Sequence, residues 1–173
     1  MIYSRFINVY SASLLFSLLF TLLTSGSAFA LSDMQGNNKH FADMLSKDKW
    51  TVFEVWASDC PACPDAVFYM KNLKKRYGHK VELIGISVDG DHGDKGKAMA
   101  AAFMKKHQLS FPTLFGRTVE VDNFLYQFEE DLYGTPSVLL FNPQGELRGI
   151  EVGAIISQDV IDFIEQDEAD KAR

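Results

Sequence analysis

The strongest constraint on the fold is the pair Cys60 and Cys63, the only two cysteines in the chain, which are separated by two residues. Residues 51–57 (TVFEVWA) precede the pair and are β-branched and aromatic, a composition that predicts a buried strand. The apolar residues that follow recur at helical spacing and predict an amphipathic helix that ends near Gly78. The two cysteines therefore stand at the junction of a strand and a helix.

A Cys-x-x-Cys motif at such a junction predicts a reactive dithiol. We expect Cys60 at the helix N-cap, where unpaired N–H groups and the positive end of the helix dipole favour its thiolate. Cys63, one turn later, is expected to lie deeper with its thiol shielded, and Pro61 suits the first helical position. This asymmetry makes Cys60 the attacking nucleophile and Cys63 the resolving thiol.

Three other roles of the cysteine pair fit the sequence less well. A structural disulfide would close only a short loop and would constrain the unfolded chain little. A metal site lacks further ligands, because the four histidines are scattered along the chain. Attachment of a c-type haem requires a histidine directly after the second cysteine, and Pro64 stands there. Redox chemistry is favoured, and no metal or cofactor is expected.

The remaining elements predict an α/β fold. They are a strand at 81–88, a polar loop at 89–96, a helix at 97–107, a helix at 121–132, a strand at 137–141, a strand at 146–152 and a last helix from Ser157. The first half alternates strand and helix, so its strands are expected to be parallel, whereas the second half contains a hairpin. A central mixed sheet with helices on both faces follows.

The N-terminal segment predicts export. Residues 6–32 carry no charged side chain, and residues 14–23 form a short apolar block within them. Residues 28–30 (AFA) place small side chains at the positions that a signal peptidase recognises. We interpret residues 1–30 as a signal peptide cleaved after Ala30, or as an uncleaved anchor. The protein is then expected outside the cytoplasm, in a bacterial periplasm.

The rest of the chain has the length of one domain. Residues 50–173 are interpreted as that domain, and the polar residues 31–49 as an N-terminal extension that looks too short to form a hairpin. The formal net charge is −6. A nucleic-acid partner is not expected, because binding a phosphate backbone requires clustered Lys and Arg.

The order of motifs resembles the thioredoxin superfamily, most closely its TlpA-like periplasmic thiol-disulfide interchange proteins. The resemblance covers about residues 50–164. Its motifs are VWASDCPAC at 55–63, GISVD at 85–89, FPTL at 111–114 and YGTPSV at 133–138. It implies a thioredoxin-like fold and a thiol-disulfide oxidoreductase of the protein-disulfide reductase type.

The same resemblance implies a client-binding surface beside the cysteines. Pro136 would be a cis-proline that packs against the pair, and Thr135 would offer its backbone N–H and C=O to an extended client segment. Trp56 and Pro61 would also contact the client. An ordinary trans-proline at the start of a strand remains the alternative for Pro136.

Glu54 is the one acidic residue in the predicted buried strand, six positions before Cys60. The resemblance places a buried acid at this position, where a desolvated carboxylate takes the proton from Cys63 as the mixed disulfide is released. The alternative is a strand carboxylate that reaches solvent or a nearby lysine.

The direction of electron flow is suggested by Asp59, where an aromatic residue is usual. Its negative charge disfavours the Cys60 thiolate, whereas strongly oxidising members of the superfamily stabilise theirs. We therefore expect a monomeric reductase or interchange protein with disulfide-containing protein clients. By resemblance, a membrane electron donor of the DsbD kind would reduce it again.

Two rival classes stay open. One is a disulfide isomerase or oxidase that serves a secretion or conjugation apparatus, and the other is a binding module that keeps the fold without catalysis. A peroxidase of the peroxiredoxin type fits less well, because Ala57 stands where that type carries Thr or Ser.

Overall fold

The computed structural model describes residues 30–173. The predicted signal peptide lies outside the described residues, apart from Ala30. Within the described part of the chain, no helix combines the length and the apolar composition needed to cross a bilayer.

The described residues form seven strands, five α-helices and two short 3₁₀ segments. In chain order they are β1 (Ala30–Asp33), β2 (Asn38–His40), α1 (Phe41–Met44), β3 (Trp50–Trp56), α2 (Cys63–Tyr77), β4 (Val81–Ser87), a 3₁₀ segment (Asp89–Lys95), α3 (Gly96–His107), β5 (Thr113–Phe115), α4 (Thr118–Leu125), a 3₁₀ turn (Tyr126–Phe128), β6 (Ser137–Phe141), β7 (Leu147–Val152) and α5 (Ser157–Lys171).

All seven strands belong to one mixed sheet, in the order β2-β1-β5-β4-β3-β6-β7. Strand β3 is central: it runs parallel to β4 on one side and antiparallel to β6 on the other. Strand β5 is also parallel to β4, and the outer pairs are antiparallel. The predicted mixed sheet is confirmed, and the carboxyl end of β3, where the cysteines lie, is at its middle.

The sheet has a hydrophobic core on each face, because β3 is buried along its whole length and its side chains alternate. Val52 and Trp56 pack on the face that also holds Cys63 and the apolar sides of α2, α3 and α5. Phe53 and Val55 pack on the opposite face against α1 and α4. Helices therefore cover both faces, as the sequence predicts.

The prediction that residues 31–49 are too short and polar for a hairpin is wrong. Strands β1 and β2 pair antiparallel, and β1 also pairs with β5, so this segment extends the central sheet. Polar residues of this segment form the turn between β1 and β2. The Asp33 carboxylate accepts hydrogen bonds from the backbone N–H groups of Gln35 and Asn37, and Gly36 has a φ of 94°.

The predicted helix over 121–132 is shifted and shorter. It begins at Thr118, because the Glu120 carboxylate accepts a hydrogen bond from the Arg117 N–H at 2.6 Å. It ends at Leu125, and the 3₁₀ turn that follows is capped by Glu129, whose φ is 61°. Phe128 and Leu132 still pack against the core, so the apolar spacing identified the buried side without fixing the extent of the helix.

Candidate active site

The two cysteines are joined in a disulfide, with their Cα atoms 5.4 Å apart. Cys63 is fully buried, whereas Cys60 is partly exposed. Strand β3 ends at Trp56, and a turn then carries the chain to the helix, with the Cys60 N–H donating to the Ala57 carbonyl at 3.3 Å. The asymmetry in depth predicted for the pair is present.

The predicted position of Cys60 at the helix N-cap is wrong, because α2 begins only at Cys63. Residues 60–62 form a turn in which the Cys63 N–H donates to the Cys60 carbonyl at 3.3 Å. Pro61 therefore lies in this turn and is exposed, whereas Pro64 occupies the first helical turn, where a missing N–H costs nothing. The Cys60 sulfur still lies at the helix N-terminus, since it is bonded to the first residue of α2.

The loop before β6 approaches the cysteine pair. The Thr135–Pro136 peptide bond is cis, and the Thr135 carbonyl oxygen lies 3.4 Å from the Cys60 sulfur. The Pro136 carbonyl accepts a hydrogen bond from the Gly153 N–H at 2.8 Å, and the Ser137 hydroxyl donates to the Gly134 carbonyl at 2.7 Å. Thr135 is thereby held with its backbone facing the partly exposed sulfur.

Glu54 lies inside the core, on the strand that leads to the cysteines. Its side chain is fully buried, and neither carboxylate oxygen has a hydrogen-bond partner among the described residues. Because side chains alternate along β3, Glu54 points to the face that holds Val52, Trp56 and Cys63. Burial raises the pKa of the Glu54 carboxyl well above its ordinary value. The alternative in which this carboxylate reaches solvent or a lysine is therefore excluded.

The structure does not place Trp56 on the surface, in contrast to the sequence prediction that it contacts a client. Its side chain is fully buried, and its ring stacks on Phe103 at 4.6 Å between centroids. Its indole N–H has no partner within the described residues. Trp56 belongs to the core beneath the site because it faces the same side of β3 as Glu54.

Asp89 is a buried residue of the site, although the sequence pattern predicts it in a polar loop. Its side chain is fully buried. One carboxylate oxygen accepts hydrogen bonds from the N–H and the hydroxyl of Ser58, at 2.9 and 2.6 Å. The other accepts from the Ser87 hydroxyl at 2.7 Å. Adjacent parallel strands end at the same edge of a sheet, so Asp89, just after β4, is expected near Ser58, just after β3. The sequence carried this signal, and it was missed.

Replacement of Asp89 by Ala is expected to lower the free energy of unfolding by about 2 kcal/mol, because the buried Ser87 hydroxyl and the half-buried donors of Ser58 lose their acceptor. Urea denaturation measures the change. Asp94→Ala is the matched control, since Asp94 is exposed on the same segment, and its effect should stay within about 0.5 kcal/mol. Equal effects of the two substitutions would contradict a structural role of Asp89.

His92 also lies at the site, although it was not predicted there. Its Nε2 atom is 3.3 Å from Asp59 Oδ2 and 3.8 Å from Asp89 Oδ1. One ligand-type atom from each of the three residues falls within 4.8 Å of the others, a spacing that a metal ion also requires. Both oxygens of Asp89 already accept hydrogen bonds, so we interpret the cluster as a contact between the His92 imidazole and the Asp59 carboxylate, supported by the buried Asp89.

A mixed sheet with a Cys-x-x-Cys pair at the end of its central strand, beside a cis-proline loop, defines a thiol-disulfide oxidoreductase of thioredoxin fold. The chain belongs to the AhpC/TSA family, whose model matches residues 25–150. The predicted resemblance to the thioredoxin superfamily and its TlpA-like branch is thus confirmed.

Individual relatives are distant. The chain is 23% identical over 137 residues to the thiol-disulfide oxidoreductase ResA of Bacillus subtilis, covering 79% of this chain and 70% of ResA. It is 21% identical over 132 residues to the thioredoxin-like protein YneN of the same organism, covering 76% and 72%. Among solved structures, a DsbF homologue from Corynebacterium diphtheriae matches with a TM-score of 0.63 and 19% identity, covering 79% of this chain and 82% of that one. The last similarity concerns the fold.

Proposed function

We propose that the protein reduces or exchanges disulfides in client proteins, with Cys60 as the attacking thiol and Cys63 as the resolving thiol. The observation that carries this proposal is the difference in depth within the pair: Cys60 is partly exposed beside the Thr135 carbonyl, whereas Cys63 is fully buried. A client sulfur can reach only Cys60, so the first covalent bond forms there.

The reaction runs in two exchange steps. The Cys60 thiolate attacks one sulfur of the client disulfide, the client S–S bond breaks, and the second client sulfur leaves and takes up a proton. Cys63 then loses its proton and attacks the Cys60 sulfur, which releases the first client sulfur as a thiol. The client gains two electrons, and the protein ends as the Cys60–Cys63 disulfide.

Glu54 is proposed as the base for the second step. Cys63 is sealed from solvent, so its proton needs an acceptor inside the protein, and Glu54 points to the same face of the sheet. Because burial raises its pKa, the affinity of the carboxylate for a proton comes closer to that of a thiolate. Transfer between the two groups is then less unfavourable than transfer to an ordinary carboxylate.

Thr135 and Pro136 are proposed to position the client. Thr135 would pair through its backbone with an extended client segment, in the manner of an added strand. Pro136 is buried beneath this position, and Tyr133, two residues before Thr135, is 73% exposed. Pro61, which directly follows Cys60 in the chain, is exposed as well. The exposed side chains of Tyr133 and Pro61 would offer apolar surface to the client segment.

The proposed setting is extracytoplasmic, with residues 1–30 as the export signal and residues 50–173 as the core of the domain. Clients would be secreted proteins with disulfides, and a membrane electron donor of the DsbD kind would reduce the protein, which would act as a monomer. A reduction potential of about −120 mV, the value of a strong oxidant, would instead support the oxidase alternative.

Capture of clients tests the proposal. Full-length protein carrying Cys63→Ser is expected to accumulate mixed disulfides through Cys60, visible as bands that a reducing agent removes, because the resolving thiol is absent. The double variant Cys60→Ser, Cys63→Ser is the matched control and should form none. A well-expressed Cys63→Ser protein without any mixed disulfide would contradict the proposed function.

A further inference from the structure

The residue next to the reactive cysteine carries a charge, and that charge has a partner. Asp59 directly precedes Cys60, and its carboxylate lies 3.3 Å from the His92 imidazole nitrogen Nε2. The side chain of Asp59 is 59% exposed and that of His92 is 35% exposed, so both exchange protons with solvent. The charge beside Cys60 therefore depends on the protonation of His92.

A buried carboxylate holds His92 and Asp59 in position. Asp89 is fully buried, and its carboxylate accepts hydrogen bonds from both the N–H and the hydroxyl of Ser58, the residue before Asp59. Asp89 also begins the 3₁₀ segment that carries His92. The turn that leads to Cys60 and the segment that presents the imidazole are thus joined through one buried carboxylate, which keeps His92 and Asp59 close to each other.

Two other charged residues near this segment, Asp91 and Arg117, have partners of their own. Asp91, on the same 3₁₀ segment, accepts hydrogen bonds from the N–H and the hydroxyl of Thr118. Arg117, from the loop after β5, forms an ion pair with Glu120 at 2.9 Å. Within residues 30–173, the ionic contacts of His92 are those with Asp59 and Asp89. The charge facing the imidazole is consequently negative.

We propose that His92 is a positioning residue that controls the reactivity of Cys60, by supplying a positive charge that offsets Asp59 when the imidazole is protonated. This inference rests on the proposed function, in which Cys60 attacks the client. A histidine ordinarily changes charge between about pH 5 and 8. With His92 neutral, the two carboxylates disfavour the Cys60 thiolate, whereas protonated His92 favours it. Mild acidification therefore lowers the thiolate population of Cys60 less than it lowers that of an isolated thiol.

The rate of Cys60 alkylation by iodoacetamide tests the inference. The reagent is uncharged, so the cluster does not steer it, and EDTA keeps stray cations from adding charge. In the reduced full-length protein at about pH 5.5, His92→Gln is expected to react about three- to tenfold more slowly than the unchanged protein. At about pH 8.5 the ratio should approach one, because a histidine is ordinarily uncharged above about pH 8.

Three further variants separate charge from structure. His92→Lys keeps a positive charge at both pH values, and Asp59→Asn removes the negative one, so both should react faster than the unchanged protein at about pH 8.5. His79→Gln removes an imidazole from the opposite end of α2 and should follow the unchanged pH profile. Mass spectrometry of the Cys60 peptide measures each rate.

A His92→Gln ratio that is the same at both pH values would overturn the inference, since a purely structural role produces that result. So would a His92→Lys protein that is slower than the unchanged one at high pH. Insulin reduction by the unchanged protein, measured in parallel, reports on the proposed function separately. If the unchanged protein does not reduce insulin while the His92→Gln alkylation ratio still depends on pH, the proposed function is contradicted. The control of Cys60 by charge is then still supported.

Discussion

A Cys60→Ser variant is expected to lose disulfide reduction completely. A serine hydroxyl is not ionised at neutral pH and does not attack a disulfide, and the remaining thiol of Cys63 is sealed in the core. The expected result is insulin reduction no faster than the uncatalysed background, in a protein that retains its fold because the substitution changes only one partly exposed atom. Circular dichroism and the insulin assay measure the two properties.

The matched variant is Cys63→Ser, which keeps the attacking thiol. It should also fail to turn over, but it should release one equivalent of thionitrobenzoate from Ellman's reagent and retain the other on Cys60. The Cys60→Ser protein should react with the reagent only on unfolding. Rapid reaction of folded Cys60→Ser would show that Cys63 is accessible and would reverse the proposed order of attack.

The second large effect is expected for Glu54→Gln, which removes the proposed proton acceptor without changing the size of the side chain. The first equivalent of thionitrobenzoate should appear at the unchanged rate, because Cys60 makes that attack. The second should appear about a hundredfold more slowly near neutral pH, since Cys63 must then ionise without a base. Stopped-flow absorbance separates the two phases, and equal second phases in the two proteins would refute the role of Glu54 as a base.

The same substitution is expected to stabilise the fold at high pH. Burial raises the pKa of Glu54 in the folded protein, so over the range between the unfolded and folded pKa values the unfolded chain has already lost this proton. Stability is therefore lost as pH rises through that range, and the effect vanishes below the unfolded pKa, where both states are protonated. Glu54→Gln should raise the free energy of unfolding by about 1–3 kcal/mol at pH ~8, and by little at pH ~4.

Urea denaturation at the two pH values measures this difference. Glu82→Gln is the control, because it makes the same substitution at an exposed position of the neighbouring strand β4. It should show no comparable pH-dependent gain. A Glu54→Gln protein that is less stable than the unchanged protein at high pH would mean that the carboxylate has a stabilising partner.

Prediction from sequence succeeded where one segment is enough to determine a structure. The β-branched and aromatic residues of β3, the helical spacing of α2 and the hairpin of β6 and β7 depend on neighbours in the chain, and all three are present. It failed at positions set by hydrogen bonds that periodicity does not describe. The start of α2 at Cys63, the end of α4 at Leu125 and the turn beside Asp33 are of this kind.

The sequence by itself determined the chemistry of the protein: two thiols three positions apart at a strand-to-helix junction, in a chain whose motifs follow a known order. That information is local, since residue type and spacing fix which groups can react. Only the tertiary structure decided the surroundings of those thiols. It buried Glu54 and Trp56, brought Thr135 against Cys60, and set His92 beside Asp59 over a buried Asp89. Each of these contacts joins segments far apart in the chain, so each depends on which strand ends meet at one edge of the sheet.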